Sequence, residues 1–203
     1  MSINQLLDVF LTKNLLYSEG NNRRLYKNFH KFFAPLVITI KYPRKQLILS
    51  SGQVADYLYF IEEGLSRGFY FDEKKQKETT LFLWKEHSTV IIPETFFYRK
   101  PSPVYIEVIA DSRIAGISWL QLSNFITKYP EASVIVQNLV IQFNEYQNNR
   151  TRQLSMLSAW ERYLQLLHDF PAIEQQVSKE VIASYLNITP QSLSRMLRKN
   201  RHP

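Results

Sequence analysis

The stretch SKEVIASYLNITPQSLSRML, residues 178–197, has the pattern of two short helices joined by a tight turn. Ser178 can cap a first helix over residues 179–186, because a Ser side chain at this position accepts a hydrogen bond from a free backbone N–H group. Asn187 then occupies the turn, where a left-handed backbone is needed and Asn is the best substitute for Gly. Thr189 caps the second helix, and the Pro that follows it stands where its missing N–H is not needed. This order predicts a helix-turn-helix.

The apolar residues of this stretch support the same geometry. The residues expected to meet between the two helices are Ile182, Leu186, Ile188, Leu193 and Met196. Ala183 is the small residue that lets the second helix cross closely over the first. A generic helical hairpin does not require a small residue, a turn residue and a branched apolar residue in this order, so we favour a DNA-binding helix-turn-helix over a plain hairpin.

A DNA-reading helix-turn-helix places its second helix in the major groove. Gln191, Ser194 and Arg195 then project outward on one face, at positions i, i+3 and i+4. Arg195 can donate two hydrogen bonds to guanine, and Gln191 can pair with adenine. The residues better placed for DNA phosphates are Thr189, Ser192, Arg198, Lys199 and Arg201. The alternative for the last three is a solvated charge near a helix C-terminus.

The composition agrees with a polyanionic partner without requiring one. Lys and Arg number 25 against 18 Asp and Glu, which gives a formal charge of +7. From residue 178 onward there are five cations and a single acid, so the excess is concentrated at one end. The absence of Cys excludes disulfides, thiolate metal sites and Cys nucleophiles. Without a signal peptide or a membrane-length apolar run, we expect a cytoplasmic protein with no membrane partner.

The hydrophobic pattern in the middle of the chain has a different period from that of the helices. Short β-branched or aromatic runs separated by turn residues predict seven or eight strands. These runs fall at residues 36–42, 46–52, 56–64, 66–71, 78–84, 89–92, 104–110 and 113–118. Their spacing favours an antiparallel jelly roll or small barrel. Gly52, Gly64 and Gly68 fall at or beside the proposed turns, as positive φ values would require.

Helical patterns lie on both sides of these strands. Residues 3–33 predict one or two helices with a break at residues 18–22, and Ser118 with Gln121 forms a capping box for a short helix that ends before Pro130. Residues 131–156 predict one long helix. Its apolar stripe consists of Ile135, Leu139, Ile141, Phe143 and Tyr146. We favour pairing of this helix with its copy in a homodimer, and the alternative is a helix lying across its own β domain.

The predicted fold class is therefore α+β. Residues 1–130 form N-terminal helices and the jelly-roll effector or scaffold domain. Residues 131–156 form the dimerisation helix, and residues 157–203 form the helix-turn-helix domain.

A jelly roll, a long helix and a C-terminal helix-turn-helix, in this order, resemble the Crp/Fnr family of bacterial transcription regulators. The most specific β-region mark is ILSSGQVADYLYFIEEG, residues 48–64, which resembles the first signature of cyclic-nucleotide-binding domains. Leu49 is a mild departure from it. The resemblance implies a transcription regulator that binds double-stranded DNA as a homodimer, with RNA polymerase as a candidate partner.

Two further features depart from the family. The family's nucleotide site uses a Gly-Glu pair and an Arg about ten residues later, but here Pro93 precedes Glu94 and Ser102-Pro103 stands near the Arg position. A cyclic phosphate without its cation would be poorly compensated. Arg99 and Lys100 lie nearby and are the alternative cations, but their spacing differs from that of the family. The candidate effector pocket is Glu94, Arg99 and Ser102, and we expect no control by cyclic AMP in the family's usual way and no other cofactor.

Few residues follow the recognition helix. We therefore expect no full β-hairpin wing there, so that DNA affinity depends more on the terminal Arg and Lys residues.

An enzyme is the main rival class. The four His residues lie in unrelated segments, and the chain has no Gly-rich phosphate loop, nucleophile elbow or His-Glu-x-x-His run. We therefore predict no catalytic residues and no metal site. The other rivals are a cyclic-nucleotide sensor and a ligand-binding scaffold that does not contact DNA.

Overall fold

The computed structural model describes residues 19–201, in which eight strands form two antiparallel sheets. The strands are β1 (Ile38–Tyr42), β2 (Gln46–Leu49), β3 (Tyr57–Glu63), β4 (Ser66–Asp72), β5 (Lys77–Trp84), β6 (Thr89–Val90), β7 (Tyr105–Val108) and β8 (Ser112–Ser118). One sheet has the order β1-β8-β3-β6, and the other has the order β2-β7-β4-β5. Each of the eight quoted runs contains a strand, and the predicted α+β jelly-roll fold is confirmed.

Helices precede, interrupt and follow this jelly roll. They are α1 (Glu19–Phe33), α2 (Pro93–Phe96), α3 (Trp119–Lys128), α4 (Ser133–Met156), α5 (Ala159–Asp169), α6 (Ile173–Gln176), α7 (Lys179–Tyr185) and α8 (Pro190–Arg201). A capping box opens α3, as predicted. The side chain of Ser118 accepts a hydrogen bond from the Gln121 N–H group, and the side chain of Gln121 accepts one from the Ser118 N–H group. A second capping box opens α5, between Ser158 and Glu161.

The predicted break at residues 18–22 is wrong over its described part, because residues 19–22 are helical. The apolar face of α1 explains this difference. Leu25, Phe29 and Phe33 are buried in the main core, and this packing outweighs the roughly 1 kcal/mol that a Gly costs in a helix. The predicted helical residues before position 19 lie outside the described part of the chain.

The predicted role of Gly68 is also wrong. Gly52 and Gly64 have φ values of 84° and 95°, as the turns require, whereas Gly68 lies inside β4 at a register shift. A Cβ atom on Gly68 would lie 2.8 Å from the Phe82 ring. Gly68 therefore serves close packing between strands.

Two hydrophobic clusters organise the described residues. The first joins both sheets to α1, α3 and the first half of α4. The second joins Leu65, Leu83 and Ile109 of the jelly roll to the helices that follow α4. The C-terminal helices therefore pack directly on the sheet β2-β7-β4-β5.

The apolar stripe of α4 belongs largely to the first cluster. Ile135, Leu139 and Phe143 are buried there and Tyr146 packs against them, whereas Ile141 is 46% exposed. The stripe that favoured pairing between two copies of α4 is therefore explained by packing on the helix's own β domain. The exposed face of α4 is a different one.

Candidate nucleic-acid interface

The helix-turn-helix consists of α7 and α8, joined at Asn187. Asn187 has a φ of 54°, so it adopts the predicted left-handed conformation. Thr189 caps α8, because its Oγ1 accepts the Ser192 N–H group at 3.1 Å. Leu193 and Leu197 are buried against the second cluster, to which α7 contributes Ile182 and Ala183. The residue order that predicted the motif is confirmed by this geometry.

The opposite face of α8 is open to solvent. Gln191, Ser194 and Arg195, the three predicted base readers, are all exposed. Arg195 contacts its own helix only weakly, with its Nη2 3.5 Å from Ser192 Oγ. The jelly roll therefore leaves this face accessible within the described part of the chain.

Four of the five predicted phosphate-binding residues fall into two groups. Thr189 and Ser192 already hydrogen-bond each other at 3.0 Å at the start of α8. Arg198 and Lys199 are exposed near its end. The side chain of Arg201 lies outside the described part of the structure.

The last carbonyl groups of α7 are capped by two Arg side chains from other helices. Arg150 of α4 lies 3.8 Å above the Tyr185 ring and donates to the Tyr185 carbonyl. Arg162 of α5 donates to the Leu186 carbonyl at 3.1 Å. Cations at the C-terminal end of a helix also interact favourably with the negative end of its dipole. The position of the helix-turn-helix is therefore tied to the long helix.

The outer edge of β5 also contacts these helices. Ser184 of α7 accepts the Thr80 N–H group at 2.8 Å and donates to the Glu78 carbonyl at 3.2 Å. Tyr146 of α4 accepts the Leu83 N–H group at 3.0 Å. These bonds satisfy backbone groups that an edge strand would otherwise expose.

Two phenols meet at this contact. The hydroxyl groups of Tyr146 and Tyr185 lie 3.3 Å apart. Burial raises the pKa of Tyr146 well above its ordinary value, and burial also raises the pKa of Tyr185. Both phenols therefore stay neutral at physiological pH and can donate hydrogen bonds.

A cavity of about 570 Å³, which we call the interdomain cavity, lies between the jelly roll, α4 and the helix-turn-helix. Its apolar wall includes Phe82 and Phe143, and its polar wall includes Glu94, Arg150 and Asn187. The turn of the helix-turn-helix thus forms part of the lining. A ligand held there would contact the β domain and the motif together.

The three residues of the predicted effector pocket do not share this cavity. Glu94 lines it, whereas the Arg99 guanidinium is held by Asp56 Oδ1 and the Ala55 carbonyl, both at 2.5 Å. Ser102 is buried and donates to the Val104 carbonyl at 2.7 Å. Arg99 and Ser102 therefore stabilise loops.

Sequence reasoning missed the contacts that Ser184, Arg150 and Tyr146 make with the jelly roll or with another helix. Each acts on a partner more than 30 positions away in the sequence. Local periodicity carries no information about such partners. The exposed polar pattern of the second half of α4 gave no signal that Arg150 reaches α7.

Within residues 19–201, no group of three or more His, Cys, Asp or Glu residues is arranged to hold a metal ion. None of the helices in the same range is long and apolar enough to cross a membrane.

The architecture, an antiparallel jelly roll followed by a long helix and a helix-turn-helix, is that of Crp/Fnr regulators, and solved structures of such proteins are similar to it. The c-di-GMP responsive global regulator CLP of Xanthomonas campestris has a TM-score of 0.65 and 17% identity, covering 88% of this chain and 91% of that chain. FixK2 from Bradyrhizobium japonicum has a TM-score of 0.66 and 15% identity, covering 81% and 84% of the two chains.

A third similar structure, from Eubacterium rectale, is described as a transcriptional regulator of the Crp/Fnr family. It has a TM-score of 0.67 and 17% identity, covering 84% of this chain and 81% of that chain. No family model and no curated protein matches the sequence. At these identities the likeness establishes the fold.

Proposed function

We propose that this protein is a DNA-binding transcription regulator of the Crp/Fnr type, which binds a roughly palindromic operator as a homodimer. Gln191, Ser194 and Arg195 read the bases. Arg198 and Lys199 contact phosphates and set the salt dependence of binding.

The observation that carries this proposal is the two-sided character of α8. One side is fixed by buried Leu193 and Leu197, and the other presents Gln191, Ser194 and Arg195 to solvent. A helix with only a structural role does not need a bidentate donor on its free face. Arg in this position matches the two acceptors of guanine in the major groove.

Selection of bound duplexes from a random DNA pool at moderate salt tests this proposal. The intact protein should enrich a palindrome with half-sites about 34 Å apart. Arg195→Ala should lose about 1–3 kcal/mol on that sequence and relax its selection at one position. Arg198→Ala should weaken binding to all sequences and lower the salt slope by about 1.

Arg152→Ala is the matched control, because Arg152 is an exposed Arg on α4. It removes the same charge away from α8 and should select the same palindrome as the intact protein. If Arg195→Ala and Arg152→Ala select identical sequences, Arg195 does not read bases. If the intact protein enriches no sequence, the proposed function is wrong.

The homodimer is proposed to form through the exposed face of α4. Exposed residues on this helix recur with the heptad spacing of a coiled-coil seam. They are Gln137, Ile141, Asn144, Asn148, Thr151 and Ser155. Ile141 is the large apolar residue of this face, and it is the anchor we expect at the seam.

Sedimentation of two matched variants tests the seam. Ile141 and Leu164 are exposed to similar extents, 46% and 47%, but Leu164 lies on α5. Ile141→Arg should weaken the dimer at least about tenfold, since a buried unpaired charge costs more than 1.4 kcal/mol. Leu164→Arg should leave it intact. A dimer that survives Ile141→Arg, or a monomeric intact protein, would exclude this seam.

The proposed regulation excludes cyclic AMP in the family's usual way. Ser102-Pro103 stands near the position where the family's phosphate-binding Arg is expected, and Ser102 is buried. In the described lining of the interdomain cavity the cationic side chain is Arg150, which is already bound to Tyr185. Calorimetry with cyclic AMP should show no saturable heat, and saturable binding would contradict the proposal.

A further inference from the structure

A second cavity lies inside the jelly roll, with a volume of about 400 Å³. We call it the roll cavity. It is bounded by β2, β3, β6 and β7, by the loop that follows β2, and by Phe96 of α2. Its volume falls in the range of small-molecule sites. Neither the base readers nor the proposed dimer seam line it.

The lining of the roll cavity is mainly aliphatic and aromatic. The apolar lining residues include Ile48, Leu49, Val54, Val90, Ile91 and Ile106. Gln53 is a polar lining residue, and its Oε1 accepts the Ser50 N–H group at 3.0 Å. An apolar ligand would therefore gain most of its affinity from burial.

The charges at the roll cavity disfavour an ionic ligand of either sign. No Lys, Arg or His lies among its described lining residues, so an anion would have no counter-ion there. Asp56 is the acidic lining residue, and Arg99 holds its Oδ1 at 2.5 Å. An ion buried without a free partner of opposite charge is strongly destabilised. The lining is therefore suited to a neutral molecule.

Two Tyr side chains supply the remaining polar groups. The rings of Tyr57 and Tyr59 stack with their centroids 5.9 Å apart, and both line the cavity. Gly116 faces them, and a Cβ atom there would lie 3.4 Å from the Tyr59 ring. Burial is the main cause that raises the pKa of Tyr59 to about 12, so its phenol stays protonated and can donate a hydrogen bond.

We propose that the roll cavity is a binding site for a neutral, mainly apolar small molecule whose acceptor oxygen takes a hydrogen bond from Tyr59. This goes beyond the proposed DNA-binding function. The roll cavity adjoins the interdomain cavity, because Phe96 and Glu94 of the short helix α2 line one cavity each and Ile92 lines both.

Fluorescence titration with the neutral ketone dye prodan tests the site. The intact protein should bind prodan saturably with a blue-shifted emission, because the dye leaves water for an apolar cavity. Its carboxylate analogue, dimethylaminonaphthoate, should bind at least about tenfold more weakly, since the cavity offers no cation. Absence of saturable prodan binding, or equal affinity for the two dyes, would overturn the proposal.

Two cavity-filling variants locate the dye. Val54→Trp places an indole in the roll cavity and should lower prodan affinity at least about tenfold. Gln147→Trp places the same ring at the wall of the interdomain cavity, outside the proposed dimer seam, and should leave the affinity unchanged. If Gln147→Trp abolishes binding and Val54→Trp does not, the dye occupies the other cavity and the proposal is wrong.

Tyr59→Phe gives a readout that does not depend on a change of volume. Loss of the phenol should shift the emission of bound prodan further to the blue, because a hydrogen bond to its ketone is lost. An unchanged spectrum would exclude Tyr59 as the donor. This variant also carries the test if Val54→Trp does not fold, which circular dichroism will report.

Discussion

At the scale of single residues, Arg150 joins the long helix to the helix-turn-helix. Its guanidinium stacks on the Tyr185 ring at 3.8 Å and donates to the Tyr185 carbonyl. We expect Arg150→Ala to lower the free energy of unfolding by about 2 kcal/mol, the sum of a cation–π contact and a charged hydrogen bond. Urea unfolding measures this loss. Arg152→Ala removes an exposed charge from the same helix, and equal losses in the two variants would contradict the role of Arg150.

Because of Tyr146, we expect the stability of the protein to fall at alkaline pH. Burial raises the pKa of its phenol well above the unfolded value, so the folded state holds this proton more tightly than the unfolded state. Its contribution is complete below about pH 10, the unfolded pKa, and is lost as the pH rises towards the folded pKa.

Tyr146→Phe removes both the titration and the acceptor for the Leu83 N–H group. We expect the variant to be about 1–3 kcal/mol less stable at pH 7. Above about pH 10 this difference should narrow, because only the intact protein loses the contribution of Tyr146. Urea unfolding at several pH values measures it. A difference that widens with pH would mean that this phenol is not protected in the folded state.

At the scale of elements, the turn between α7 and α8 depends on one backbone conformation. Asn187 has a φ of 54°, and its N–H group donates to the Ser184 carbonyl at 3.0 Å. We expect Asn187→Ala to cost about 1–2 kcal/mol, because Ala keeps the Cβ that is unfavourable in the left-handed region but lacks the short polar side chain that lets Asn adopt it. Asn187→Gly avoids this clash and should cost less than Ala. Thermal unfolding ranks the variants, and an Ala variant as stable as Gly would exclude backbone strain as the cause.

The elements that the sequence patterns predicted correctly are those with local signals. The helix-turn-helix has a cap, a turn residue and an apolar face within 20 positions, and each strand is a short run between turn residues. The break predicted at residues 18–22 failed because Gly20 is a local signal that the packing of α1 overrides. The stripe of α4 was ambiguous, since own-domain packing and dimerisation need the same period.

The predicted DNA-facing residues share this local basis. Gln191, Ser194 and Arg195 follow from helical spacing once the buried face of α8 is known. The predicted effector pocket, in contrast, does not follow from local spacing. Arg99 and Ser102 are close to Glu94 in sequence, but the chain between α2 and β7 turns them towards the loop at residues 52–56. The spacing of residues within a loop does not determine the direction in which their side chains point.

At the scale of the whole molecule, the jelly roll and the helices that follow it are joined along β5. Its outer edge is bonded by Ser184 and Tyr146, and Lys85 donates to the Asp169 carbonyl at 2.9 Å. Leu65, Leu83 and Ile109 add apolar contacts to the C-terminal helices. The interdomain cavity borders this contact, since Thr80 and Ser184 both line it.

Ser184 is the test of this contact, because it bridges two backbone groups of β5. Its Oγ accepts the Thr80 N–H group at 2.8 Å and donates to the Glu78 carbonyl at 3.2 Å. Ser184→Ala leaves both groups without this partner and should lower the free energy of unfolding by about 1–3 kcal/mol. The amide of Thr80 should then exchange faster with deuterium, while amides in the middle of β4 keep their rates.

Ser194→Ala is the control for stability, since Ser194 is an exposed Ser on α8 and should change unfolding by less than about 0.5 kcal/mol. Unchanged exchange at Thr80 in Ser184→Ala would mean that α7 does not protect β5 in solution. A faster rate confined to Thr80 and its neighbours would identify Ser184 as a fastening point between the helix-turn-helix and the jelly roll. The position of the helix-turn-helix against the jelly roll would then be set partly by a strand more than 100 positions earlier in the chain.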